Sequence, residues 1–391
     1  MLKMEFDFIV IGAGPIGSYL ARLLASDGFR VAIFDRKKEV GKDVLCSGII
    51  GSEPYREFNL PEEAIISRIS DGSLFSPSMI QFYYSHDLPF AYIADREKLD
   101  KILYKRAVEK GVEAFLGSLV IDLEKEKGRV CIEYLNNGYV KKISARCLVI
   151  ATGADFALHR KAGLLAPKRF LWGSRVEFDC KLDGPLEIYI LNNPDLGSFG
   201  WVIPLENKVR IGALSVDHDR SAIHRLIQKT DGRFRFSDYR IEGAPIAYGD
   251  SKKMVSERVI AVGEAAGQVK TTTGGGIHYG LIGARFAYNV LKKTALEDDF
   301  SEDRLLEYER LWRIKMGQEI KSGMALRNLV AKIPSKTVDI IFNWARKDPA
   351  IEEKIKQQFC FDYHKNLVDF GMELILGRNT LRRSKFSLLP F

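Results

Sequence analysis

Phe6-Asp7-Phe8-Ile9-Val10-Ile11-Gly12-Ala13-Gly14-Pro15-Ile16-Gly17 is the stretch on which the reading of the fold turns. Its first half is apolar enough for a buried strand, and residues 15–27 and 30–35 then read as a helix and a second strand. The glycines fall at Gly12-x-Gly14-x-x-Gly17, where the first strand passes into the helix. Gly12 permits the tight turn, Gly14 lets the backbone approach a pyrophosphate, and Gly17 allows close packing of helix on strand. Pro15 and Ile16 open the helix, whose free N–H groups and positive dipole end favour phosphate. Asp35 ends the second strand 18 residues after Gly17 and would accept hydrogen bonds from ribose hydroxyls, with Arg36 beside it.

Three distant features select FAD over NAD as the nucleotide. Arg96 opens the helix Arg96-Glu97-Lys98-Leu99, from which a basic side chain reaches back to the cofactor. Ala151-Thr152-Gly153 closes the buried strand Cys147-Leu148-Val149-Ile150. Val259-Ile260-Ala261-Val262-Gly263-Glu264 is a strand ending in an acidic turn, and Thr273-Gly274-Gly275-Gly276-Ile277 then opens a helix. FAD is long and needs contacts from separated segments, with Glu264 placed for a ribityl hydroxyl. The glycine run lets the helix start lie against the isoalloxazine ring, where its dipole favours negative charge at N1 and O2. No second GxGxxG follows a strand, so NAD(P)H has no fixed site of its own.

The rest of the chain reads as α/β, α+β overall. Residues 37–52 are a glycine-containing loop, 65–93 short strands, and 95–110 a helix. Strands follow near 112–123, 129–134, 139–143 and 147–151. Residues 170–250 alternate apolar and polar positions between turns such as Leu182-Asp183-Gly184-Pro185 and Asn192-Asn193-Pro194, the pattern of an antiparallel sheet. Residues 257–263 return to a buried strand, 275–293 form a helix, and 302–378 read as helical with breaks at Pro334 and Pro349. The Rossmann-type FAD-binding domain is therefore expected to be discontinuous, over 1–60, 95–165 and 253–300. A β-rich substrate domain takes 61–94 and 166–252, and a helical cap takes 301–391.

Composition narrows the class. The 391 residues, 46% of them hydrophobic, can bury a sizeable core. The chain runs directly into a strand pattern and has no long apolar stretch, so neither export nor a membrane span is expected. Cys46, Cys131, Cys147, Cys180 and Cys360 are scattered, which argues against disulfides and metal ligation and for a reducing cytoplasm. The histidines show no ligand spacing, so no metal is expected. The net charge of +8 is accompanied by no nucleic-acid motif. A lipid surface, such as the inner face of the cell membrane, or an acidic electron donor suits it better, and Arg378–Lys385 beside Leu374-Ile375-Leu376 is the densest basic cluster.

Together these segments resemble the geranylgeranyl reductase family, within the flavin fold shared with p-hydroxybenzoate hydroxylase. The resemblance spans roughly residues 5 to 325. It rests on Gly263-Glu264-Ala265-Ala266-Gly267-Gln268-Val269-Lys270, Thr272-Thr273-Gly274-Gly275-Gly276-Ile277, Cys46-Ser47-Gly48-Ile49 and Phe199-Gly200-Trp201-Val202-Ile203-Pro204. The last is similar to an aromatic-x-Trp-x-Phe-Pro signature, with Ile203 replacing Phe. Glu264 stands where the family usually has Asp, and Thr271 where Pro is common; both bear on redox tuning.

The resemblance implies reduction of isolated C=C bonds of prenyl chains by reduced FAD. It places Cys46, with Ser47 and Gly48, in a loop beside the flavin, so Cys46 is the candidate for proton delivery or alkene positioning. The alternative is a small packing residue. Trp201 and Phe199 are candidates for the substrate channel, where aromatic faces stabilise developing positive charge, or else plain core. Tyr189, Tyr279 and His278 are weaker candidates, His278 reading equally as a surface residue. The electron donor is NAD(P)H or a reduced ferredoxin. Other activities stay open: a monooxygenase or halogenase of the same fold, an electron carrier to quinone, or a prenyl-binding protein without chemistry.

Overall fold

A computed structural model describes residues 6–191, 199–216, 221–230, 233, 239–249, 251–330 and 332–376. Strand Phe6–Ile11 lies at the centre of an eight-stranded sheet, with Val31–Asp35 parallel on one side and Tyr139–Ile150 parallel on the other. Val259–Ala261 and Glu113–Leu116 continue the parallel order outward. Phe8, Ile9, Val10, Leu148, Val149 and Ile150 are fully buried, as expected of strands covered on both faces. Helix Pro15–Ser26 packs between Arg96–Val108 and Ile277–Glu297 on this sheet.

A seven-stranded sheet runs Glu242–Tyr248, Arg169–Asp179, Lys208–Ser215, Phe199–Pro204, Leu186–Ile190, Asp71–Phe75, Gln81–Ser85. Neighbours in it are antiparallel except Leu186–Ile190 and Asp71–Phe75, which run parallel. Parallel neighbours need a long crossover, and the intervening chain supplies four strands of the eight-stranded sheet, from Glu113–Leu116 to Tyr139–Ile150. Ile49–Gly51, Ala91–Ala94 and Ile65–Ile69 form a third, small sheet.

Several sequence expectations change in detail. The strands expected at 139–143 and 147–151 are one, because Tyr139–Ile150 carries an antiparallel hairpin on its first half and the parallel core on its second. Residues 37–52 are not all loop: Ile49–Gly51 is a strand, and helix Ser52–Phe58 follows. Within 170–250, Ser221–Lys229 is a helix that buries Ala222, Ile223, Leu226 and Ile227 against the second sheet. The C-terminal region is helical at Glu302–Val330, Ser335–Ala345, Pro349–Gln358 and Lys365–Leu376, with breaks before Ser335 and Pro349. The Asn192–Pro194 turn and the Arg378–Lys385 cluster lie outside the described residues.

Candidate active site

The sheets enclose a cavity of about 480 Å³ along the C-terminal edge of the central parallel strands. Gly12, Gly14, Pro15, Ile16, Asp35 and Arg36 line one end; Cys46, Ser47, Arg96, Ala151, Thr152 and Gly153 line its middle. Gly274, Gly275, Gly276, Ile277 and Trp201 line the other end, while Gly263, packed on Ile16, and Glu264 line the stretch between. Three of the expected residues stand behind the wall. Gly17 packs on the glycine turn, where an added Cβ would sit 2.0 Å from the Gly12 carbonyl oxygen. Gly48 lies against the Ala94 carbonyl and the Arg210 guanidinium. Phe199 leans on Trp201 with ring centroids 5.7 Å apart, outside the cavity. A residue two along a strand shares its partner's face, yet here the channel ends at Trp201.

Gly12 has φ +111°, and a Cβ there would meet the Ala151 carbonyl oxygen at 2.3 Å. Asp35 accepts the Ala13 and Lys37 N–H groups at 2.8 Å each, which fixes the carboxylate at the rim. Helix Pro15–Ser26 starts at Gly14 and helix Ile277–Glu297 at Gly276; neither has a side-chain cap or an acid in its first turn. Two bare helix ends thus face one cavity, each suited to an anion.

The Glu264 turn is braced from behind. Gln268 accepts the Gly263 N–H at 2.7 Å and donates to the Tyr308 hydroxyl at 2.6 Å, which donates to the Ala261 carbonyl. Glu264 accepts the Ala247 N–H at 2.8 Å, and burial pushes its carboxyl up to about 7. Such a carboxyl gains from a hydroxyl donor arriving in the cavity.

The Cys46 loop is tied to the second sheet. Arg175 donates to the Cys46 carbonyl at 3.3 Å, and Arg210 to the Ser47 carbonyl at 2.7 Å. The Cys46 thiol accepts the Gly48 N–H at 3.4 Å. Arg96 grips Asp100 through two 3.1 Å contacts. Burial disfavours its charge, but Asp100 and Cys46 outweigh that and raise its pKa. Trp201 lies across Gly212, where a Cβ would strike its ring at 2.2 Å.

Tyr189 and Tyr279 are buried away from this wall. The Tyr189 hydroxyl donates to Glu187 at 2.6 Å, and Tyr279 packs edge-on to Trp312. His278 is not on the surface: its side chain is 1% exposed and lines the cavity between Glu57 and Asp362. Lys270, Phe361 and Asp362 also line the wall. Lys270 was legible as part of a glycine-rich run, but nothing in the sequence around Asp362 links it to a loop ninety residues earlier. Among the described residues, no group of His, Cys, Asp and Glu is arranged to hold a metal ion.

Residues 60–321 match the tryptophan halogenase family model, and residues 10–48 match the NAD(P)-binding Rossmann-like domain. Digeranylgeranylglycerophospholipid reductase of Methanocaldococcus jannaschii is 30% identical over 358 residues, which cover 87% of this chain and 90% of that protein. The chain belongs to the digeranylgeranylglycerophospholipid reductase family. It also belongs to the wider group that the halogenase model describes. A geranylgeranyl bacteriochlorophyll reductase-like protein of Thermoplasma acidophilum shares the fold of this family member at TM-score 0.82 and 20% identity, over 94% of this chain and 99% of that one. The myxobacterial chondrochloren halogenase, an FAD-dependent enzyme, shares it at TM-score 0.66 and 20% identity, over 95% and 97%. The fold of the reductase family is thus an FAD-binding one. Its glycine turn, bare helix ends and buried Glu264 suit the pyrophosphate, the flavin ring and the ribityl chain respectively.

Proposed function

We propose that this protein is an FAD-dependent reductase that saturates isolated C=C bonds in the geranylgeranyl chains of ether lipids or related isoprenoids. The observation that carries this reading is that Cys46 and Trp201 line the same cavity as the glycine-rich loop that opens a bare helix terminus. Bound reduced FAD supplies hydride from N5. The chain's own residues hold the prenyl segment in line, exclude water and supply a proton. An isolated alkene is a poor hydride acceptor, so orientation carries much of the barrier lowering. Leu214, Ile246 and Phe361 beside Trp201 give that end an apolar lining. In the proposed assignment, Gly12, Gly14, Pro15, Ile16, Asp35 and Arg36 hold the adenosine and pyrophosphate. Arg96, Ala151–Gly153, Gly263 and Glu264 hold the ribityl region, and Gly274–Ile277 hold the ring. Gly17 and Gly48 support from behind the wall, Cys46 faces the alkene, and Phe199 backs Trp201. The division into 1–60, 95–165 and 253–300, with 61–94 plus 166–252 and 301–391, is proposed on the make-up of the sheets.

Peripheral contact with a lipid surface belongs to the same proposal. Helix Ser335–Ala345 carries Val338, Ile340, Ile341, Phe342 and Trp344, yet none of its residues is buried. Lys332, Lys336, Arg346 and Lys347 are exposed around it, a pattern that suits anionic headgroups. No described helix is long and apolar enough to cross a membrane. The electron donor is NAD(P)H, visiting transiently, or a small acidic ferredoxin drawn by the +8 net charge.

Mass spectrometry of a geranylgeranyl ether phospholipid after incubation with the reduced protein tests the activity: the expected product gains hydrogens in pairs. The match of residues 60–321 to the halogenase model favours a second reading, oxygen chemistry at the flavin. A product carrying oxygen or halogen would replace the first reading with the second.

A further inference from the structure

Behind the Trp201 end of the cavity runs a line of ionisable side chains from the outer surface to the wall. Arg285 holds Glu57 at 2.9 Å, and Glu57 Oε2 stands 3.4 Å from His278 Nε2. His278 Nδ1 is 3.6 Å from Asp362 Oδ1, which lies 2.5 Å from Lys270 Nζ. Exposure drops from 41% at Glu57 to 1% at His278 and stays low, at 3% for Asp362 and 6% for Lys270. His278, Asp362 and Lys270 all line the cavity. Asp362 Oδ2 is buried with no hydrogen-bond partner among the described residues.

We propose that the Lys270 ammonium is the proton donor of the reduction, and that Glu57, His278 and Asp362 are the path that recharges it from solvent. This rests on the reductase reading. As the π bond breaks, one carbon takes hydride from reduced flavin and the other takes a proton from Lys270 Nζ. Two C–H bonds form, the flavin loses two electrons, and the lysine is left neutral. Other cations on the wall are poorly suited: Arg36 and Lys37 stand at the Asp35 end, and guanidinium groups such as Arg96 do not give up protons.

The path reloads itself by electrostatics. Burial pushes the Asp362 carboxyl up, but the Lys270 charge and the His278 contact outweigh it and hold the group well below the usual range. Once Lys270 is neutral, the largest opposing influence is gone and burial prevails. Asp362 then takes a proton from His278 Nδ1 and passes it on, while His278 Nε2 refills from the Glu57 side. An imidazole with a carboxylate at each nitrogen suits such transfer. The other groups packed there do not compete. Burial raises Tyr279, Tyr363 and Cys360, whose thiol donates to Glu53. Burial lowers His364 to about 4, leaving it neutral between Thr272 and the Phe361 carbonyl. Glu319 is occupied by the N–H groups of His364 and Lys365.

Lys270→Arg keeps the ion pair but cannot donate, so it separates proton supply from structure. FAD-loaded Lys270→Arg should lose alkene reduction by about 10²–10⁴-fold, while its reduced flavin is still reoxidised by ferricyanide at the wild-type rate. Glu57→Gln should slow only multiple turnover. Without FAD, Lys270→Met imitates the discharged state: its infrared difference spectrum against wild type at neutral pH, in which the raised Glu264 carboxyl common to both cancels, should show an added C=O stretch of a protonated carboxylic acid, and the Lys270→Met/Asp362→Asn double variant should show no such added band. Alkene reduction by Lys270→Arg within threefold of wild type, or no such band in Lys270→Met, overturns the proposal. Wild-type protein that reduces no prenyl lipid overturns the reductase reading instead, and the infrared arm still decides whether the path exists.

Discussion

Gly12 shows how little freedom a single position at this site has. Its φ of +111° is strained for any residue with a Cβ, and the Ala151 carbonyl leaves no room for one. Strain of this kind costs about 1–3 kcal/mol before the clash is counted. Gly12→Ala is therefore expected to purify colourless or with a small fraction of wild-type FAD, read from visible absorbance against protein. Glu264 offers a pH signature. Burial raises its folded carboxyl to about 7 from an ordinary value of 4.5. A group that binds its proton more tightly when folded stabilises the fold fully below the unfolded pKa, and that stabilisation is lost as pH rises through the folded one. The FAD-free protein should thus lose on the order of 2–3 kcal/mol between about pH 4.5 and 7 from this group. Glu264→Gln should flatten that part of the denaturation profile; identical profiles would contradict the assignment. The glycines, Asp35 and Glu264 were legible because each sits within a few residues of a strand end, where spacing fixes position. Lys270 with Asp362, and His278 as a buried residue, were not, since their meaning depends on a contact between segments far apart in the chain.

Among the elements, helix Glu302–Val330 props the glycine-rich loop. Arg327 donates to the Thr271 and Thr272 carbonyls at 2.9 and 2.8 Å, and Gly323 leaves room for the Thr271 hydroxyl. Arg327→Met leaves those carbonyls without their donor and should cost about 1–3 kcal/mol in chemical denaturation. It should also weaken FAD binding, because the loop it supports opens the second bare helix end. An unchanged FAD affinity would separate the helix from the site. The strand–helix–strand opening was readable because local period and glycine spacing agreed. Helix Ser221–Lys229 was not, although Ala222, Ile223, Leu226 and Ile227 fall at helical spacing, because it interrupts a long run of strand-like alternation. The parallel pairing of Leu186–Ile190 with Asp71–Phe75 was equally hidden, as it joins strands more than a hundred residues apart.

At the scale of the molecule, the C-terminal region both closes the cavity, through Phe361 and Asp362, and presents an apolar helix outward. Ile340 is 52% exposed on that helix. Ile340→Glu should reduce co-flotation with anionic vesicles severalfold while FAD content and thermal stability hold; equal flotation would remove the lipid surface from the account. Such a division suits a substrate whose chains leave a bilayer to reach the flavin. The central claim is that those chains take up the electrons. The most direct test is anaerobic: reduce the bound flavin just to completion with dithionite, add a geranylgeranyl glycerol-ether phospholipid in detergent, and follow the oxidised-flavin band. Return of the band with two hydrogens gained by the lipid per flavin is the predicted result. A flavin that stays reduced with prenyl lipids, yet reoxidises with quinone or oxygen, would contradict it.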